Sequence, residues 1–182
     1  AEPRDVSNVA QPSTQSLSLG FVSVDYPSAP GSFMAVIRAR NYRLDRPVCE
    51  GTPNSTGEAC DMVAAGSSNA IRNEVNFQIY GLPVGSTGYV LLSRSFGITQ
   101  NPGGSQGDLC LSGSIGRMVQ QVYTATFEGH RAVTAELTAF PQPSGSVQVL
   151  AGDTWFAQSW YRDQVAGAAT SNFSSAISLT FD

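Results

Sequence analysis

Short runs of apolar, β-branched and aromatic residues recur along this chain, each closed off by Gly, Pro, Asn or Ser, and nowhere does an apolar stripe of helical spacing persist. That pattern confines the backbone to strands joined by turns. Leu17 to Tyr26 alternates apolar and polar residues until Pro27, and Phe33 to Leu44 does likewise, so these two runs are expected to form a hairpin or neighbouring strands. Further runs of strand length are Asn76 to Gly81, Gly88 to Ser95, Gly113 to Val119, Tyr123 to Phe127, Ala132 to Leu137, Ser146 to Leu150, Trp155 to Tyr161 and Ala176 to Phe181. The connectors Pro53-Asn-Ser-Thr-Gly57, Pro83-Val-Gly-Ser86 and Pro141-Gln-Pro-Ser-Gly145 carry turn chemistry. A short helical turn fits between Gly116 and Gln121. Many short strands without intervening helices predict an all-β fold, an antiparallel β-sandwich of jelly-roll or Ig-like type, with an N-terminal strand-bearing extension.

With 182 residues and 41% hydrophobic content, the chain has material for one domain with a sizeable core and an appended segment. Residues 1–15, rich in Ser, Pro and Gln, read as an arm that is flexible or pairs with a partner, and 16–182 as the sandwich. Only 13% of residues are charged, all ten basic residues are arginine, and the net charge is −4. Without a basic cluster, this balance argues against nucleic acid and anionic membrane surfaces as partners. No apolar run approaches the roughly 20 residues that cross a bilayer, so membrane insertion is not expected. Ala1-Glu2-Pro3 is the kind of start a signal peptidase leaves, and the expected location is extracellular or at the cell surface.

Cys49, Cys60 and Cys110 are an odd number of cysteines in a sequence of extracellular character, which predicts one disulfide and one thiol left over. Spacing alone does not choose the pair. The single histidine, His130, sits in the polar run Glu128-Gly-His-Arg131 and reads as a solvated loop residue, and the cysteine spacings fit no zinc finger.

The chain carries its aromatic residues most densely near its end. Trp155, Trp160 and Tyr161, with Phe156 among them, are candidates for a platform on which a flat sugar ring stacks. On a regular strand, however, Trp155 and Trp160 point to opposite faces, which puts one in the core. Asp163 reads as a hydrogen-bonding group at a strand end rather than a catalytic acid. The carboxylates show no pairing motif of the kind glycoside hydrolysis needs, and His130 lacks a Gly-x-Ser-x-Gly partner, so no catalytic residues are assigned and no enzyme is expected. No cofactor is expected; Asp108 and Asp153 are the loop carboxylates on which a structural calcium would draw.

Several stretches occur together in a recognisable order: Pro53-Asn-Ser-Thr-Gly57, Tyr80-Gly-Leu-Pro83, Gly88-Tyr-Val-Leu-Leu-Ser93, Asn101-Pro-Gly-Gly-Ser-Gln-Gly-Asp-Leu-Cys-Leu111, Gly116-Arg117, Gly152-Asp-Thr-Trp155, Trp160-Tyr-Arg-Asp163, Thr170-Ser-Asn-Phe173 and Ser178-Leu-Thr-Phe181. In these motifs, residues 49–182 resemble an uncharacterised domain found at or near the C-terminus of secreted proteins of planctomycetes and other environmental bacteria. The resemblance implies an extracellular, β-rich domain and brings no catalytic residues with it. It also implies that Cys49 pairs with Cys110 and leaves Cys60 over. The residues themselves offer a rival bridge, Cys49 to Cys60, which closes a short loop around Pro53 to Gly57.

Three functions of different class fit these features. The first is a secreted structural subunit of a fibre or surface assembly, self-associating by β-strand addition, with Val6, Val9, Leu17 and Leu19 in the assembling segment and the chain itself as partner. The second is a module that binds carbohydrate or another surface ligand, with polysaccharide as partner. The third is an extracellular hydrolase. The first accounts at once for the arm, the odd cysteine and the near-complete commitment of the chain to one β-domain.

Overall fold

The alternation of Val75, Phe77 and Ile79 with Asn76, Gln78 and Tyr80 gives one strand an apolar side and a polar side, and the fold follows from many such strands burying the apolar side. In a computed structural model, which describes residues 44–182, those strands pair antiparallel into two facing sheets of a β-sandwich and two two-stranded ribbons. The strands are β1 (Asp45–Cys49), β2 (Asp61–Gly66), β3 (Val75–Tyr80), β4 (Thr87–Ser93), β5 (Ser95–Thr99), β6 (Leu109–Ser112), β7 (Gly116–Arg117), β8 (Tyr123–Thr124), β9 (Arg131–Ala135), β10 (Phe140–Gln142), β11 (Gly145–Val147), β12 (Thr154–Val165) and β13 (Ala168–Thr180).

The larger sheet runs β1-β13-β12-β4-β7, with β8 also pairing β4, the smaller runs β2-β3-β9, and the ribbons are β5–β6 and β10–β11. Met62, Ala64, Phe77, Ile79 and Val133 from the smaller sheet meet Val90, Leu92, Trp155, Ala157, Tyr161, Ile177 and Leu179 from the larger in one buried core. The ribbon β5–β6 covers part of the larger sheet's other face, where Leu91, Leu111 and Phe173 form a second apolar cluster with Phe156 and Trp160 against it. The larger sheet is therefore apolar on both faces.

At the middle of the β12–β13 ladder the register shifts, so that Ser174 and Ser175 oppose Ser159. This bulge turns both serines to other partners. The Ser159 amide donates to Ser174 Oγ at 2.9 Å, the Ser175 amide donates to the Cys60 carbonyl at 2.8 Å, and the Met62 amide donates to Ser175 Oγ at 2.9 Å. The bulge is thus where one sheet is hydrogen-bonded to the start of the other. A second tie lies at β1, where Asp45 Oδ1 accepts from the Ala64 amide at 2.9 Å.

The disulfide joins Cys49 to Cys110, as the resemblance implies, and not Cys49 to Cys60. It fastens the end of edge strand β1 to the β5–β6 ribbon across a sequence separation of 61. Cys60 is a free thiol, 1% exposed.

Several elements differ from the sequence reading. The strands expected over 113–119 and 123–127 shrink to the two-residue pairings of β7 and β8, separated by a 3-10 turn at Val119–Gln121. Conversely, β12 and β13 reach 12 and 13 residues, because residues 164–170, outside the runs read as strands, are paired as well up to a two-residue turn. The connection is then the two residues Ala166 and Gly167, both at positive φ (48° and 82°). The N-terminal arm, 1–15, and the strand run 17–26 lie outside the described residues.

Two expected outcomes follow from this architecture. Replacing Cys49 and Cys110 together by serine opens a loop whose ends are 61 apart in sequence, and chain entropy alone then lowers stability by about 4 kcal/mol. Urea unfolding of the double variant against the oxidised protein measures this, and peptide mapping verifies the pairing. In the Ala166-Gly167 turn, Ala166→Asn places a residue tolerant of left-handed backbone where alanine is strained, so the urea midpoint rises by an amount equivalent to about 1 kcal/mol with unchanged m.

Candidate functional site

Four of the motif stretches, far apart in sequence, converge on the outer half of the β12–β13 hairpin. In the loop before β2, Asn54 forms a closed turn: its Oδ1 accepts from the Thr56 amide at 2.8 Å and from Thr56 Oγ1 at 2.7 Å, while its Nδ2 donates to the Gly81 carbonyl at 2.7 Å. The next residue donates its amide to the Asp163 carboxylate, at 3.2 Å to Oδ2. Gln106 Nε2 donates to the same oxygen at 2.8 Å. Asn172, wholly buried, donates to the Pro53 carbonyl at 3.2 Å, and Gly107 lies so close that a Cβ there would stand 2.3 Å from Asn172 Oδ1. Gln158, also wholly buried, accepts from the Cys110 amide at 2.8 Å and donates to the Asp108 and Ser174 carbonyls at 3.0 and 2.9 Å.

These amides and the Asp163 carboxylate spend their hydrogen bonds on loop backbone and on one another, which is how buried polar groups avoid an uncompensated desolvation cost. They hold loops in place. Asp163, read as a hydrogen-bonding group at a strand end, lies within β12 and bonds instead to two distant loops. Two shallow clefts flank the hairpin tip, one of about 320 Å³ bordered by Ser55, Val84, Arg162 and Thr170 and one of about 390 Å³ bordered by Asn54, Gln106, Gln164 and Gly167.

The aromatic platform of Trp155, Trp160 and Tyr161 is not formed. Trp155 and Tyr161 are both 0% exposed, because the alternation of β12 sends residues 155, 157, 159 and 161 into the space between the sheets. Trp155 packs edge-on against Phe140, with ring centroids 5.0 Å apart, and lies under the Arg94 guanidinium at 4.6 Å. Trp160 points the other way and stands half-buried beside Tyr89, 5.0 Å between centroids.

The two carboxylates considered for calcium are separately engaged. Asp153 receives Arg94 through two nitrogens, at 2.8 and 2.9 Å, and the Leu150 amide at 3.0 Å. Arg94 first, then that amide, hold its carboxyl below the usual carboxylate range. Asp108 Oδ1 accepts from the Asn101 amide at 3.3 Å. Among the described residues, no three His, Cys, Asp or Glu side chains gather as metal ligands would.

One other candidate stands differently from the sequence reading, one agrees with it, and one group lies outside the described residues. His130 is half-buried rather than solvated, its ring stacked on Tyr80 with centroids 4.7 Å apart. The Cys60 thiol is pushed well above its ordinary range, by burial first and the Asp61 charge second, and it is closed to other molecules. Val6, Val9, Leu17 and Leu19 fall outside the described residues.

Sequence reasoning missed the strand β5, whose Phe96 and Ile98 are 42% and 61% exposed, because its single apolar pair is interrupted by Gly97. It also passed over the outward side of β3, although Asn76, Gln78 and Tyr80 alternate visibly with the apolar positions. Compared with protein-family models, curated proteins and solved structures, the chain matches none.

The Arg94 node has a measurable share in stability. Arg94→Ala removes a half-exposed ion pair and a cation–π contact, and lowers stability at neutral pH by about 1 kcal/mol. Because the folded-state Asp153 pKa is depressed, its contribution is present above the ordinary Asp value of about 4 and fades as pH falls through the lower folded value. Urea midpoints of the two proteins therefore converge on going from pH 7 to strongly acid solution.

Proposed function

We propose that this chain is an extracellular structural subunit that associates with its own kind by β-strand addition. The observation that carries the reading is β5. Among the described residues it pairs only with β6, it contains neither charge nor proline, and its Phe96 and Ile98 lie on the surface. Exposed apolar edge strands invite pairing, and proteins that remain apart commonly block them with charge or proline. The edge strands β1, β2 and β9 carry such groups, Arg46 and Pro47, Asp61, and Arg131, whereas the shorter β6, β8 and β11 carry neither charge nor proline but also no exposed apolar pair like that of β5. The donor is assigned from sequence to the N-terminal segment of a neighbouring copy that carries Val6, Val9, Leu17 and Leu19.

Main-chain bonding of this kind depends little on side-chain chemistry, and a donor and an acceptor at different places on one chain make a head-to-tail contact that grows into a filament. The buried Cys60 takes no part, so association is insensitive to alkylation of free thiols. An extracellular setting is supported by the Cys49–Cys110 disulfide, since such bonds persist in oxidising compartments.

Light scattering and negative-stain imaging of the full chain test the reading. Wild-type protein is expected to form concentration-dependent oligomers or filaments, and Ile98→Lys, which puts a charge on the acceptor edge, is expected to leave monomers of unchanged thermal midpoint. A wild-type monomer at high concentration overturns it.

A further inference from the structure

The outward face of the smaller sheet is built differently from the rest of the surface. Along its middle strand stand Asn76, Gln78 and Tyr80, flanked by Val63 and Ala65 on β2 and by Ala132 and Thr134 on β9. The polar members form one directional chain. His130 Nε2 lies 2.8 Å from Gln78 Oε1, Gln78 Nε2 donates to Asn76 Oδ1 at 2.7 Å, and Asn76 Nδ2 donates to Thr134 Oγ1 at 3.1 Å. Each link fixes the next amide's orientation, and each amide keeps a second N–H, with the Thr134 hydroxyl hydrogen also free of these links.

At one end of the row the Tyr80 ring stacks on His130, interplanar angle 25°, and remains 45% exposed. Asp61, paired across from Tyr80, accepts from the Met62 amide and the Ser175 hydroxyl through one oxygen, Oδ1, and places a single exposed carboxylate at this end of the face. From Tyr80 to Asn76 the row spans about 13 Å, and three strands make the face about 10 Å wide. The small flanking side chains leave this area shallow.

We infer that this face binds a neutral polysaccharide, with Tyr80 as stacking platform and the Gln78–Asn76–Thr134 row as hydrogen-bonding track. Sugar hydroxyls both donate and accept, which matches a row of amides and a hydroxyl. The ligand's lack of charge matches a face whose outward side chains between Tyr80 and Asn76 are uncharged. A protein partner would instead need an apolar patch at the centre of its contact, where this face has amides. Because the amides are already oriented by one another, little side-chain freedom is lost when a ligand arrives. The site lies apart from β5 and stands whether or not the chain self-associates.

Retention on suspensions of cellulose, chitin, a β-1,3-glucan and mannan, with alginate as an anionic control, tests the inference on the full chain. Wild-type protein is expected to be held by at least one neutral glycan. Tyr80→Ala and Gln78→Ala are expected to weaken that retention at least tenfold with unchanged thermal midpoints, and Trp160→Ala, on the other sheet, to leave it intact. Ile98→Lys, run in parallel, is expected to bind as wild type, which separates this site from assembly. Retention on none of the neutral glycans, on alginate alone, or equally by Tyr80→Ala and wild type overturns the proposal.

Discussion

The antiparallel pairing of β12 with β13 is the constraint on which the rest of this structure depends. Among the described residues no other pairing is as long, and each of the two strands carries a neighbour on its far side, β4 and β1. Through β1 the ladder reaches the disulfide, and through the disulfide the β5–β6 ribbon. Its bulge supplies the hydrogen bonds that hold the start of β2, and its outer half supplies Asp163 and Asn172, which anchor the loops before β2 and β6. A shift of register by one residue would exchange Trp155, Ala157 and Tyr161 with Phe156, Gln158 and Trp160 and dismantle both apolar clusters at once.

Polar groups in this protein fall into two kinds. Those of the converging motifs are buried and satisfied, so they convert long loops into fixed structure, and removing one partner would strand another without a hydrogen bond. Those on the outer face of the smaller sheet are linked to each other yet keep donors turned to solvent. The distinction decides where recognition is sought: side chains whose bonding capacity is spent on loops have little left for a ligand, whereas an oriented, half-satisfied row does. A similar contrast holds for edges, since β1 carries charge and proline while β5 carries neither.

Much of the sandwich was legible from alternation alone. Residues 76–81, 88–95, 132–137 and 155–161 read as strands from their apolar pattern, and strands lie over 75–80, 87–93, 131–135 and 154–165. The reading lengthened β7 and β8 because apolar residues near 119 and 122 suggested pairing, whereas Val119 and Val122 are exposed beside a 3-10 turn. It shortened the hairpin because residues 164–170 have no buried face, and a ladder without one leaves no hydrophobic signature. Opposite faces for Trp155 and Trp160 followed from parity, but which face was core did not.

The sequence by itself determined the class of fold, the turns, and the expectation of one disulfide with one thiol over, because these depend on local periodicity, on residues suited to particular backbone angles and on a count. Only the tertiary structure decided that Cys49 meets Cys110, that Tyr161 is core, that Asp153 belongs to Arg94, and that Tyr80 stacks on His130. Each of those depends on which strands lie side by side. That order is settled by packing two apolar clusters against the same sheet, a property of the whole chain that no single segment contains.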